Sequence, residues 1–330
     1  MSRHLFVAFY LCLCCALPAA AQQLHSISGD TMGTVYHIKW ISSSPKARQA
    51  EIDAALAALN QQVSTYQSNS QIAKYNRSNP DQSVTIGDDF RKILDAGMEL
   101  YRQTQGALDV TAAPLVNLWG FGPHQIAKIP SDSQIKHAQS KMGLSSFKVQ
   151  NQHLTKKVAG ATLDFSAIAK GYGVDRIAHL LEQHGIEDYM VEIGGEVRLK
   201  GLNQQRLPWK IAILKPDAQQ QQIQQIIRAN NLAIATSGDY LNFYRYQDKV
   251  YSHLIDPQLG KPITNHIASV TVLHPSCMYA DGYATALSVM GVQRALAFAN
   301  EKALPVMIIE RRDEQFSVFY AGGFKDYIIE

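Results

Sequence analysis

The chain has 330 residues and a formal net charge of +3 at pH 7, with 46% hydrophobic and 18% charged residues. This composition is ordinary for a globular enzyme and excludes a disordered chain. The net charge is too small to indicate binding to nucleic acid or to an anionic membrane surface.

The N-terminal segment has the pattern of an export signal. Arg3 precedes an apolar stretch from Leu5 to Leu17, and small residues follow up to Ala21. The apolar stretch is too short to span a bilayer, and small residues are typical of a signal cleavage site. We therefore predict a signal peptide over residues 1–21, export to the periplasm, and a mature part over residues 22–330.

The mature part, roughly 300 residues, is long enough for a single large domain or two intimate subdomains. No second apolar run reaches transmembrane length. Membrane contact is then at most through a lipid anchor on Cys14 or Cys15, which would hold the protein at the inner membrane. The residue before each of these cysteines is large, whereas a lipidation signal has a small residue there. Signal removal would leave Cys277 as the one cysteine, and therefore no internal disulfide.

The first half of the mature chain shows strand-like and helical patterns. A β-rich segment over residues 34–41 follows a turn that ends at Gly33, and a hairpin is predicted around Asn151. Hydrophobic periodicity predicts helices over residues 46–63, 88–104 and 131–142.

The second half is richer in strands. Strands are predicted at residues 189–193, 196–199, 209–214, 232–236, 243–246, 267–273, 306–309 and 316–320. Helices are predicted over residues 281–290 and 292–302, and a further helix follows the 164–175 segment and ends at His184. The glutamine-rich segment 219–231 has isoleucines at helical spacing and is interpreted as a surface helix. Clustered strands with irregularly interspersed helices predict an α+β fold with largely antiparallel or mixed sheets.

Residues 164–175 form the most informative segment, because they combine an acid, a hydroxyl, a lysine and two glycines. Such a segment lets the backbone approach a ligand while Asp164 and Lys170 supply opposite charges. A capped helix explains the same residues, with Asp164 or Ser166 as N-cap and Ile168 as the first buried residue. The segment alone leaves both interpretations open.

Asp281 and Thr285 lie four residues apart at the start of a predicted helix, so a carboxylate and a hydroxyl share one face. Hard cations such as Mg²⁺ take oxygen ligands of this kind. The alternative is that Asp281 only caps the helix or complements its dipole.

Two further groups of polar residues are candidates for chemistry. His253 and Asp256, three residues apart, are typical of a general base oriented by a carboxylate, or of a turn at Asp256-Pro257 that His253 caps. Glu192 and Glu196 flank a Gly-Gly pair, which also fits an ordinary hairpin turn. P-loop, dinucleotide-binding, nucleophile-elbow and zinc-protease motifs are absent from the sequence.

Taken together, motifs along essentially the whole mature chain resemble one family, the ApbE family of exported flavin transferases (FAD:protein FMN transferases). The motifs that carry the resemblance are Thr31–Thr34, Gly106–Thr111, Pro114–Gly122, Asp164–Gly173, Val191–Gly195, Ala235–Tyr240, Ser252–Pro257 and Ala280–Leu287. Each motif alone is weak, whereas all of them in order behind an export signal are specific.

The resemblance implies an ApbE-like, T-fold-like architecture and a magnesium-dependent reaction. FMN would pass from FAD to a threonine hydroxyl of a target protein through a phosphoester bond, and AMP would leave. Met32 would pack against the isoalloxazine ring, and Lys170 would bind phosphate. The other FAD-binding residues implied by the resemblance are Tyr66, Ala107, Leu108, Asp109, Asp164 and Ile255.

The resemblance also implies a Mg²⁺ site formed by Asp281, Thr285 and the backbone carbonyl of Ala167. His253 would deprotonate the acceptor threonine, with Asp256 orienting the imidazole. Some family members carry a further acid where this chain has Ala284, so the resemblance leaves the number of side-chain ligands open.

Two other functions are consistent with the sequence. An FAD pyrophosphatase would use the same metal site with water in place of the threonine, and would give FMN and AMP. A non-catalytic periplasmic flavin carrier would need the FAD contacts but neither Asp281 nor Thr285. For the transferase, the resemblance implies acceptors such as the flavin subunits of a sodium-pumping NADH:quinone reductase or an Rnf-type complex.

Overall fold

The computed structural model describes residues 22–123, 129–217, 222–238, 243–246, 249–313 and 315–329. The predicted signal peptide lies outside these ranges, as does the end of one motif at residues 239–240. In the described ranges, every helix is too short or too polar to cross a bilayer.

The helices are α1 (Gln49–Val63), α2 (Gln71–Arg77), α3 (Asp88–Gln103), α4 (Ala113–Leu118), α5 (Asp132–Gln139), α6 (Ala169–Gln183), α7 (Cys277–Met290) and α8 (Val292–Glu301). The strands of the first half are β1 (Gln23–Thr31), β2 (Thr34–Ser42), β3 (Ser83–Thr85), β4 (Phe147–Gln150) and β5 (His153–Lys156). Those of the second half are β6 (Asp188–Ile193), β7 (Glu196–Lys200), β8 (Trp209–Leu214), β9 (Ile223–Ala229), β10 (Leu232–Gly238), β11 (Phe243–Tyr246), β12 (Lys249–Ser252), β13 (Ile255–Asp256), β14 (Lys261–Pro262), β15 (Ile267–His274), β16 (Val306–Arg312) and β17 (Gln315–Ala321).

A central sheet dominates the described fold. Its strand order is β1-β2-β6-β7-β10-β15-β16-β17, and neighbouring strands pair antiparallel. A small sheet β3-β5-β4 and the pairs β8–β9, β11–β12 and β13–β14 lie beside it. The predicted α+β fold with largely antiparallel sheets is confirmed.

The middle strands of the central sheet are buried on both faces, as β16 illustrates, whereas β1 and β2 at one edge expose alternate residues. Val306 and Ile308 pack into the cluster that contains the apolar sides of α3, α7 and α8. Met307 and Ile309, which alternate with them, pack into the cluster around the β8–β9 hairpin. Successive side chains of a strand point to opposite faces, so a strand covered on both sides is a continuous apolar run.

The prediction of a surface helix over the glutamine-rich segment is wrong. Residues 223–229 form β9, which pairs antiparallel with β8, while residues 218–221 lie outside the described ranges. Ile227 is fully buried in the cluster on the far face of the central sheet. The spacing of Ile223, Ile226 and Ile227 fits a helix, and it is their β-branched side chains that favour a strand. The pairing partner β8 is not revealed by sequence periodicity.

The orientation of α6 against α7 depends on the carboxylate of Asp175. Its Oδ1 accepts hydrogen bonds from the Cys277 amide at 3.0 Å and from Arg198 Nη1 at 2.6 Å. Its Oδ2 accepts from the Met278 amide at 3.1 Å and from Ser276 Oγ at 2.7 Å. Asp175 is a residue of α6, yet it caps the N-terminus of α7 and ties both helices to Arg198 on β7.

Replacement of Asp175 by alanine is expected to lower the free energy of unfolding by about 3 kcal/mol, because two helix-terminal amides and Arg198 lose their acceptor together. Urea denaturation measures this loss. Glu187→Ala is the control, since the Glu187 side chain is 70% exposed and pairs only at the surface with Lys200; it is expected to cost less than about 1 kcal/mol. Equal losses in the two variants would contradict the assigned role of Asp175.

Candidate functional site

The first turns of α6 and α7 meet at backbone contact. A Cβ placed on Gly171 would lie 2.4 Å from the carbonyl oxygen of Cys277. A Cβ on Gly282 would lie 2.5 Å from Leu100 Cδ1 and 2.9 Å from Ile168 Cγ2. A side chain at Gly171 would force α6 away from α7, so their approach depends on glycine there. A side chain at Gly282 would instead displace the side chains of Leu100 and Ile168.

Asp281 of α7 forms a second contact between the two helices. Its Oδ2 accepts a hydrogen bond from the Gly171 amide at 3.0 Å, and the residue is 6% exposed. Gly171 is the third residue of α6, whose N-cap Ile168 offers no side-chain acceptor. The carboxylate therefore satisfies an amide at the N-terminus of α6, just as Asp175 of α6 serves α7.

Two sequence predictions about helix starts need correction. Helix α7 begins at Cys277 rather than at Asp281, so Asp281 is its fifth residue and caps another helix, not its own. Neither Asp164 nor Ser166 is the N-cap of α6, which begins at Ala169. Instead, Asp164 Oδ1 accepts hydrogen bonds from the amide and the hydroxyl of Ser166 in a local turn before the helix.

A buried charged cluster, formed by Lys170, Glu196 and Asp281, lies at the same junction. Lys170 Nζ is 2.6 Å from Glu196 Oε1, and the Glu196 side chain is 3% exposed. Burial raises the pKa of Asp281, and the charge of Lys170 partly opposes this rise. Burial, followed by the charge of Asp281, raises the pKa of Glu196. The cluster therefore holds two buried carboxyl groups beside a lysine whose side chain is 33% exposed.

The residues at this junction fit a hard divalent cation. Asp281 supplies a buried carboxylate, and Thr285 follows one helical turn later on α7. Ala167 immediately precedes Ile168, which lies against Gly282, so its backbone segment passes the start of α7. A carboxylate, a hydroxyl and a carbonyl oxygen are ligands that Mg²⁺ prefers.

Within the described ranges, no three His, Cys, Asp or Glu side chains are grouped to hold a metal. A site with a single carboxylate, a hydroxyl and a carbonyl would not form such a group. Ala284 is fully buried among apolar residues, so position 284 supplies no side-chain ligand for a cation.

The loops around Asp109 and Asp164 lie side by side. The Asp164 amide donates to the carbonyl oxygen of Val110 at 2.9 Å. Asp109 Oδ1 accepts from the amide and the hydroxyl of Thr111, and burial raises the pKa of Asp109. Ala107 and Leu108 are 8% and 2% exposed, so any contact of theirs with a ligand is made mainly by the backbone.

Tyr66 lies at the rim of the same region. Partial desolvation, and after it the charge of Asp164, raises the pKa of the Tyr66 hydroxyl. The residue as a whole is 70% exposed. An exposed aromatic ring near Asp164 is suited to stacking on a flat ligand.

Met32 reaches the junction from the central sheet. It occupies the two-residue turn between β1 and β2 with a left-handed φ of 50°, followed by Gly33 at 75°. Its Sδ would lie 3.3 Å from a Cβ at Gly173 of α6. The turn thereby places a thioether against the same helix that carries Lys170.

His253 and Asp256 belong to a neighbouring hairpin. His253 is half-buried and makes an edge contact with Phe121 at 6.4 Å between ring centroids. Asp256 Oδ1 accepts from the amides of Gln258 and Leu259 and so closes the turn between β13 and β14. The turn predicted at Asp256-Pro257 is therefore present, while the orientation of His253 by Asp256 stays a prediction.

Ile255 places this hairpin against the rest of the site. It is 7% exposed and packs in a small cluster with Trp119, whose Nε1 donates to the carbonyl oxygen of Gly260 at 2.9 Å. Gln258 Nε2 donates to the carbonyl oxygen of Gln105 at 2.8 Å, next to the loop that carries Ala107. The hairpin therefore contacts both Trp119 and the loop before Ala107, which are far from it in sequence.

The two acids around the Gly-Gly pair have different roles. Gly194 and Gly195 form the turn between β6 and β7, with φ values of 59° and 101°. Glu192 is near the surface, caps the Gly195 amide and pairs with His37. Glu196 is buried against Lys170. The sequence identified the turn but gave no sign that only the second acid is buried, because that depends on α6 packing over β7.

Comparisons with known proteins identify the family of this chain. A family model described as the ApbE family matches residues 32–308. A FAD:protein FMN transferase of Vibrio cholerae is 43% identical over 313 residues, which cover 93% of this chain and 93% of the relative.

Solved structures give the same result for the fold. A structure of the flavin transferase ApbE from Vibrio cholerae superposes with a TM-score of 0.84 at 42% identity, covering 93% of this chain and 100% of that chain. The crystal structure of the Pseudomonas stutzeri flavinyl transferase ApbE in its apo form gives a TM-score of 0.85 at 33% identity, covering 93% and 97% of the two chains.

Two glycines of α6 provide a matched test of the helix junction. Gly171→Ala is expected to lower the free energy of unfolding by about 2 kcal/mol, because its methyl group meets rigid backbone of α7. Gly173→Ala is expected to change it by less than about 1 kcal/mol, because its methyl group meets the movable end of Met32. Urea denaturation of both variants checks this, and a stable Gly171→Ala protein would contradict the close approach.

Proposed function

Because the chain belongs to the ApbE family, we propose that it transfers the FMN moiety of FAD to a threonine hydroxyl of a protein acceptor and releases AMP. The observation that carries this proposal is the buried carboxylate of Asp281, held against the N-terminus of α6 beside Lys170. A negative group at this place, with a hydroxyl one turn later, is suited to hold a cation against a pyrophosphate.

Asp281, Thr285 and the backbone carbonyl of Ala167 would hold the Mg²⁺ ion. When bound, Mg²⁺ supplies neutralisation of the charge that develops on the pyrophosphate oxygens. Lys170 binds a phosphate oxygen from the α6 side. Met32 and Tyr66 contact the isoalloxazine ring, and the loops at residues 107–109 and 164 line the rest of the FAD site.

The transfer breaks the phosphoanhydride bond between the two halves of FAD and forms a phosphoester bond to the threonine. The threonine Oγ forms a bond to the phosphorus of the FMN half, and the bond from that phosphorus to the bridging oxygen breaks. AMP leaves with the electron pair of the broken bond. His253 takes the hydroxyl proton on an imidazole nitrogen, which makes the threonine oxygen a better nucleophile.

The acceptor is a protein segment with an accessible threonine. The family resemblance favours the flavin subunits of a sodium-pumping NADH:quinone reductase or an Rnf-type complex as acceptors. The signal pattern of residues 1–21 supports transfer in the periplasm, with a lipid anchor at Cys14 or Cys15 as the alternative attachment to the inner membrane.

The proposed function is tested by incubating the mature protein with FAD, Mg²⁺ and a threonine-bearing acceptor domain. We expect the intact mass of the acceptor to rise by one FMN and an equal amount of AMP to appear. Free FMN and AMP without a mass gain on several acceptors would instead indicate an FAD pyrophosphatase. Bound FAD with no AMP would indicate a flavin carrier.

Asp281→Asn is expected to lower the transfer rate at least about 100-fold, because it removes the charge that holds the cation. The amide oxygen still accepts from Gly171, so the thermal unfolding midpoint is expected to stay within a few degrees of wild type. AMP release at increasing Mg²⁺ measures the rate. Glu187→Gln, far out on the surface, is the control. Unchanged transfer by Asp281→Asn would contradict the metal assignment.

A further inference from the structure

Glu196 has an unusual position for an acid that the transfer reaction does not yet use. It is 2% exposed and begins β7 directly after the Gly194–Gly195 turn. One carboxylate oxygen, Oε1, lies 2.6 Å from Lys170 Nζ. The other, Oε2, is buried and has no hydrogen-bond partner among the described residues.

A buried carboxylate oxygen without a hydrogen-bond donor destabilises the folded protein. A buried carboxylate is tolerated when its ion pair and its remaining lone pairs are both satisfied, and each unsatisfied buried acceptor is destabilising. Glu192, on the other strand of the same hairpin, has a partner for each oxygen: one accepts from the Gly195 amide and the other pairs with His37 near the surface. Oε2 of Glu196 therefore marks a place where a donor is missing.

The charged groups around Oε2 indicate which ligand would supply the missing hydrogen-bond donor. Glu196 and Asp281 both act on the ammonium of Lys170, so two carboxylates face one lysine in a buried space. The fully buried Cys277 thiol lies near these groups. Burial raises its pKa, so the thiol stays protonated. Two carboxyl groups outnumber the one ammonium, and a divalent cation would supply the positive charge that favours the ionised form of both.

We propose that Glu196 is a positioning residue for the metal that Asp281 holds: Oε1 fixes Lys170, and Oε2 accepts a hydrogen bond from a water of the cation's hydration shell. Mg²⁺ in proteins usually keeps several waters, and groups that bind such waters tune its affinity. The inference rests on the proposed function for the identity of the cation. It adds a residue that neither the motif pattern nor the comparisons assign.

The test measures Mg²⁺ binding by titration calorimetry in the absence of FAD, so that it does not depend on transfer. Glu196→Gln is expected to weaken Mg²⁺ binding at least about 10-fold. Glu192→Gln is the matched control from the same hairpin and is expected to bind Mg²⁺ within about 2-fold of wild type, since its partners lie at the surface.

A second variant separates the role of Oε2 from the effect of charge alone. Lys170→Met/Glu196→Met removes one charge of each sign, so the net charge of the cluster is that of the wild type. Apolar replacement of a buried ion pair is usually tolerated, and this protein is therefore expected to fold even if Glu196→Gln does not. We expect its Mg²⁺ affinity to be weakened about 10-fold as well.

Each outcome decides the proposal. Weaker Mg²⁺ binding in the double variant, with or without a folded Glu196→Gln protein, supports it. Wild-type affinity in the double variant would mean that Glu196 only neutralises the charge of Lys170, and would overturn the role of Oε2. Transfer assays of the wild type run in parallel: their failure would remove the proposed function, whereas the affinity comparison would still decide the role of Glu196.

Discussion

The two helices at the centre of the site cap each other, and the remaining geometry depends on this exchange. Asp175 of α6 accepts the first two amides of α7, and Asp281 of α7 accepts the third amide of α6. Amides at a helix N-terminus need an acceptor when water cannot reach them. Because each helix supplies the other's acceptor, neither can shift without leaving buried donors unsatisfied. The junction is thereby fixed in both position and orientation.

Close packing at the junction strengthens the interactions between the charged side chains of the site. Gly171 allows α6 and α7 to touch, and Glu196 and Asp281 are buried beside Lys170, whose side chain is 33% exposed. Where water is excluded, interactions between charges strengthen and unpaired charges are destabilising. The same contacts that stabilise the fold therefore bring the charged groups of the proposed site together. Stability and function are connected here through burial rather than through separate sets of residues.

Much of the fold was accessible from the sequence, and the failures have identifiable causes. The alternating and apolar runs predicted most strands of the central sheet, because hydrophobic periodicity reflects burial directly. The glutamine-rich segment forms a strand although Ile223, Ile226 and Ile227 have helical spacing, because pairing with β8 outweighs the local pattern. Strand β1 escaped prediction, since an edge strand with many polar residues has a weak signal.

For the site, the sequence by itself determined which chemical groups are present and, through the family resemblance, which of them belong together. It determined that Asp281 and Thr285 share a helix face and that glycines accompany Lys170. Only the tertiary structure decided that Asp281 caps α6, that Asp175 caps α7 and that Glu196 is buried while Glu192 is not. These are contacts between segments up to about a hundred residues apart, and local patterns carry no information on which buried donor meets which acceptor.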